Sequence, residues 1–89
     1  MKIKIHHSFH NTDASFYCKN IIRNKDGIDC RFSKHQTSQI WKRLCGINDC
    51  KCDTEKFIIE KPDNSFDQAI VSCSGRDGRL SVFFPFKNY

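Results

Sequence analysis

Between residues 2 and 10 apolar and polar positions alternate, with Ile3, Ile5, His7 and Phe9 on one face and Lys2, Lys4, His6, Ser8 and His10 on the other. A period of two marks a strand half buried against a core, so this stretch is predicted as the first strand. Asn11-Thr12-Asp13 is turn chemistry, because short polar side chains bond back to their own backbone. Strands are then predicted over residues 16–23 and 28–32. Between them lies Asn24-Lys25-Asp26-Gly27, whose Asp-Gly pair is expected to supply the tight reversal of a hairpin.

From Ser33 the period lengthens. Ser33 and Gln36 have the spacing of a capping box, Ile40, Trp41, Leu44 and Cys45 form an apolar stripe, and Gly46 stops the helix. Lys42 and Arg43 fall in the last turn, where positive charge complements the helix dipole. Three more strands are predicted over residues 56–61, 67–73 and 79–86. Pro62-Asp63-Asn64 and Gly75-Arg76-Asp77-Gly78 separate them, and both connections read as hairpins. Pro85 has no N–H for a ladder, which predicts an edge position for the last strand. The order β-β-β-α-β-β-β describes an α+β fold, an antiparallel sheet of about five to six short strands packed on one helix. No linker or repeat divides residues 1–89, so the chain reads as a single small domain.

Composition adds direction. Apolar residues make up 38% of 89, with eight Phe, which is enough for a packed core and too much for a disordered tail. The net charge is +5, and it is lopsided: residues 1–45 hold nine Lys and Arg against three Asp, while residues 46–89 hold six against seven acidic residues. A positive half attracts nucleic acid or acidic protein surfaces, and it also serves as a solvated face. No apolar run reaches the roughly 18 residues of a membrane span, and the alternating N-terminus lacks the apolar block of an export signal. A cytoplasmic location is therefore expected, and with it reduced or metal-bound cysteines rather than disulfides.

Cys45, Cys50 and Cys52 crowd one segment, and pairing of the fifth and sixth predicted strands would bring Cys73 close to Cys52. Four thiolates could hold a structural zinc, although Cys-x4-Cys-x-Cys is not a usual zinc-finger spacing. The competing readings are small buried or loop thiols with nothing bound, and a disulfide from Cys73 to Cys50 or Cys52. No other cofactor is expected. In the hairpin register Cys30 faces Ile21, which makes Cys18 and Cys30 small core residues.

His6 and His10 on an extended strand lie roughly 13 Å apart and cannot chelate together, and His7 reads as a core histidine. His7, Asn24 and His35 on strand, loop and helix loosely resemble the metal site of a small nuclease, but no spacing fixes their roles. There is no phosphate-cradling loop, nucleophile elbow or paired acidic motif, so the chain is expected not to be an enzyme.

Two binding readings follow. Phe83 alternates out of the core on a last strand rich in aromatics, and with Arg76, Arg79, Lys87 and Tyr89 it forms a candidate contact surface for a protein partner. In size and lack of motifs the chain resembles anti-CRISPR and other anti-defence proteins of phages and mobile elements. That class-level likeness implies an inhibitor or adaptor that occludes a larger protein or nucleoprotein complex. The alternative is a nucleic-acid-binding module in which Lys2, Lys4, Lys19, Arg23, Lys25, Arg31 and Lys34 meet phosphates, with or without a zinc staple. No membrane partner is expected.

Overall fold

The computed structural model describes residues 1–46, 54–74 and 78–87. Among these, the chain runs β1 (Lys2–His7), β2 (Thr12–Tyr17), β3 (Asn20–Asn24), β4 (Gly27–Arg31), α1 (Lys34–Cys45), β5 (Phe57–Ile59), β6 (Ile70–Cys73) and β7 (Leu80–Pro85), with a 3-10 turn over Thr54–Lys56. The α+β class holds, with the antiparallel strands divided between two sheets of order β2-β1-β5 and β3-β4-β7-β6. The added strand comes from the predicted strand over 16–23, which breaks at Cys18-Lys19. Cys18 turns its side chain fully inward and gives its N–H to the Met1 carbonyl at 2.8 Å, so β2 ends in one sheet and β3 begins in the other.

β1 shows the expected alternation for Ile3, Ile5 and His7, all buried. It stops there. The Ser8 N–H and hydroxyl both donate to the Lys56 carbonyl, at 2.8 and 3.0 Å, and Asn11 takes a left-handed φ of 53°. Residues 8–11 are therefore the turn, Thr12 already belongs to β2, and Phe9, expected on the core face, is 68% exposed. In the second hairpin Ile21 faces Cys30 as predicted, and the Asn24 side-chain oxygen accepts the N–H groups of Asp26 and Gly27 at 2.8 and 3.0 Å. Gly27 opens β4 with ordinary φ. Its lack of a side chain is needed because a Cβ would run into the Phe84 carbonyl, the Phe83 ring and Pro85.

One expected pairing and one expected edge position are overturned. β5 pairs with β1 and β6 with β7, so the Pro62 segment connects different sheets and is not a hairpin; the β6–β7 hairpin forms as predicted. β7 is not an edge strand but lies between β4 and β6. Pro85 is tolerated because Phe86 donates to Asp26 on the β4 side. The ring nitrogen of Pro85 thus faces the other side, where β6 has already ended and Asp67 donates to the Pro85 carbonyl at 2.7 Å.

The helix begins as its cap predicts, with the Ser33 hydroxyl accepting the Gln36 N–H at 3.1 Å. The Gln36 side chain does not close the box; it donates to the Tyr17 carbonyl and ties the helix start to the end of β2. Thr37, Ile40, Trp41 and Leu44 are buried at the i, i+3, i+4, i+7 positions, and each large apolar side chain contributes about 1.5–3 kcal/mol of burial. Trp41 packs on Phe57 at 5.2 Å between ring centres, and one apolar cluster joins the helix to the inner faces of both sheets.

Candidate partner-docking face

The register of the four-stranded sheet determines what its outer face presents. Asn20 pairs with Arg31, Arg31 with Ser81, and Ser81 with Ser72, which makes one polar row across all four strands. Two residues along, Ile22 pairs with Asp29, Asp29 with Phe83, and Phe83 with Ile70. In this second row Ile22 and Ile70 are 39% and 55% exposed and Phe83 is half-buried, its ring lying over Gly27. A row that is apolar except for Asp29 therefore runs beside a polar one, since side chains two apart share a face.

The polar row opens into a groove of about 820 Å³ lined by residues that include Lys19, Asp29, Arg31, Ser33, Gln36 and Arg79. Phe32 and Leu80 are buried at its floor. Asp29 accepts from the Arg31 guanidinium at 3.0 Å, so this cation is paired within the groove. The groove thus sets serine hydroxyls and basic side chains beside the half-buried Phe83 and the exposed Ile70.

The structure draws this face from both predicted sets. Phe83 and Arg79 come from the partner-contact set, and Lys19 and Arg31 from the nucleic-acid set. Lys87 is half-buried and donates its N–H to the Ser65 carbonyl; Arg76 and Tyr89 lie outside the described residues. The remaining cations are scattered. Lys2 and Lys4 lie on β1 beside a smaller depression of about 390 Å³, Lys4 facing Glu60 at 3.8 Å. Arg23 is on β3, Lys25 at a hairpin tip and Lys34 at the helix start. Ile22 and Ile70 escape sequence reasoning, because an isoleucine on a short strand reads as core until the neighbouring sheet is known.

Among the cysteine readings, a disulfide at Cys73 is present, whereas Cys45, expected as a buried or metal-bound thiol, is oxidised too: each of the two is disulfide-bonded. Disulfide sulfurs are not the thiolates that a zinc site over Cys45, Cys50, Cys52 and Cys73 requires, and Cys50 and Cys52 lie outside the described residues. The strand pairing that was to carry Cys73 toward Cys52 is also absent, although β6 does pack on the turn at Thr54–Lys56. Cys18 and Cys30 are free thiols with 0% exposure, as core residues should be. Burial first, and then the neighbouring Cys18 thiol, push the Cys30 thiol up to about 12.

The histidines also differ. The turn at residues 8–11 folds His10 back so that its N–H donates to Nδ1 of His7 at 3.1 Å, with the two rings 4.6 Å apart. Cys45, at the end of α1, joins them: one donor atom from each of the three lies within 4.8 Å of the others. In the loose nuclease-like set, the Asn24 side-chain oxygen is engaged by its own turn and His35 is exposed on the first turn of α1. No helix among the described residues is long and apolar enough to cross a membrane. No protein-family model, curated protein or solved structure matches the chain significantly.

Proposed function

We propose that the protein works by binding, docking the outer face of its four-stranded sheet onto a larger protein and occluding it, as an inhibitor or adaptor does. The observation that carries this reading is the juxtaposition of the neighbouring Phe83 and Ile70, with Ile22 beyond Asp29, and a groove lined by Lys19 and Arg31. Aromatic and aliphatic anchors flanked by arginine are the composition of protein-protein hot spots. The matching partner is a protein whose surface sets carboxylates beside an apolar knob. An anti-defence role in a phage or mobile element is the class of biology this suits. Dispersal of Lys2, Lys4, Arg23, Lys25 and Lys34 over two sheets, a hairpin tip and a helix start favours a protein over a nucleic-acid duplex, which needs a continuous basic track. Among the described cysteines catalysis by thiol is disfavoured, because Cys18 and Cys30 are buried and Cys45 and Cys73 are oxidised.

The test compares three proteins: wild type, a face variant carrying Arg31→Glu and Ile70→Asp, and a control carrying Lys4→Glu on the other sheet. Immobilised protein is used for quantitative capture, and labelled single- and double-stranded oligonucleotides are titrated across a range of salt. A protein retained by wild type and control but lost by the face variant supports the reading. Oligonucleotide binding that weakens steeply with salt and falls in both the face variant and the Lys4→Glu control, with no protein retained by wild type, replaces it with the nucleic-acid module.

A further inference from the structure

We infer that His7, His10 and Cys45 form a binding site for a divalent transition metal such as zinc, opened when the Cys45 disulfide is reduced. The three residues come from the end of β1, the following turn and the last residue of α1, and their donors already lie within 4.8 Å of one another. Two imidazoles and a thiolate match zinc in ligand type, with the fourth position left to water or an incoming group. Bond lengths of about 2.0–2.3 Å set tetrahedral donors roughly 3.3–3.8 Å apart, so the cluster must close by about an ångström. His10 is exposed on a turn and can make that movement, while His7 is 1% exposed and fixed among Phe57 and the strand core. The site also lies at the C-terminal end of α1, where helix carbonyls favour a cation.

Oxidation state decides occupancy. As a disulfide sulfur Cys45 carries no charge and is a poor ligand. A dithiol reductant exchanges with that disulfide, releasing Cys45 and its former partner as thiols and leaving as a cyclic disulfide. The Cys45 thiol then gives up its proton as the metal–sulfur bond forms. Binding at either nitrogen of His7 removes the lone pair or the tautomer on which the His10 N–H to Nδ1 bond depends, so that hydrogen bond is exchanged for the metal.

The experiment titrates Co(II) into wild type, His10→Ala and Cys45→Ser, each oxidised and after dithiol reduction. The expected result is one Co(II) per reduced wild-type chain with a thiolate-to-cobalt charge-transfer band. The oxidised protein and Cys45→Ser should lack the band, and affinity should fall about tenfold or more in His10→Ala. The His10 amide resonance should shift on binding Zn(II). A band that is unchanged in His10→Ala and lost only when Cys50, Cys52 or Cys73 is replaced by Ser assigns the metal to an all-thiolate site and overturns the proposal, as does a folded, reduced wild type that binds no Co(II). If reduction unfolds the chain, Zn(II) should restore the helical circular dichroism of wild type and not of His10→Ala; failure to restore it likewise overturns the proposal.

Discussion

The hydroxyl of Thr37, on the buried face of α1, accepts the backbone N–H of Leu80 at 3.1 Å, the first residue of β7. The bond is made in the interior and ties the helix, which packs mainly on β1 and β2, to the other sheet. Replacing Thr37 by Val keeps the shape and leaves a buried N–H unpaired, which costs about 1–3 kcal/mol. Chemical denaturation should show that loss for Thr37→Val and a smaller one for Thr37→Ser, which keeps the oxygen. Equal losses would mean that packing, not the hydrogen bond, sets the effect.

Gly27→Ala is expected to be the most damaging of small substitutions in β4. Its Cβ meets backbone on the β7 side and an aromatic ring above, and backbone cannot yield as a flexible side chain does. A loss of about 1–3 kcal/mol, the usual cost of overpacking, should appear as a lower thermal midpoint. A neutral outcome would show that β4 and β7 can slide apart there.

Asp29 competes with any partner for Arg31, being 3.0 Å from its guanidinium. Removing the carboxylate in Asp29→Asn should tighten binding of a glutamate-rich, leucine-containing peptide by about two- to fivefold, since a surface ion pair is worth under about 1 kcal/mol. Isothermal titration measures this, and weaker binding by Asp29→Asn would count against the groove as a carboxylate site.

The Cys30 thiol links stability to alkaline pH. In the folded protein, burial and then Cys18 hold its proton until about 12, whereas an unfolded chain releases it near the ordinary thiol value of 9.0. The folded state thus binds the extra proton between these values. Its contribution is complete below about pH 9 and is lost as pH rises toward 12, at up to about 1.4 kcal/mol per pH unit. Urea unfolding across that window should show a steeper fall for wild type than for Cys30→Ala, and identical slopes would refute the linkage.

Much of the architecture is legible along the chain because local rules governed it. The alternation at Ile3, Ile5 and His7, the Ser33 cap, the Ile40–Trp41–Leu44 stripe and the Ile21–Cys30 register each follow from a few neighbouring residues. Choices of partner strand are another matter. Nothing near Phe57–Ile59 states that it pairs with β1, and Pro85 looks like an edge residue until it is known that β6 stops short. The candidate face is legible at Phe83 but not at Ile22 and Ile70, whose exposure depends on a register across four strands. The meeting of His7 and His10 depends on one turn beginning three residues earlier than turn propensity suggests, and that shift comes from the Lys56 carbonyl, 48 residues away from Ser8.

β7 lies between β4 and β6, and this has a kinetic meaning. β4 is made before the helix, yet one of its two ladders waits for the last strand to arrive. Such distant pairing closes slowly, typically over milliseconds to seconds. During synthesis, a chain that has not yet delivered residues 80–85 holds β4 with an unsatisfied ladder and with Ile28 and Cys30 uncovered, a surface open to association with other nascent chains. Chaperone dependence in the cell should therefore be greatest for chains cut short of β7.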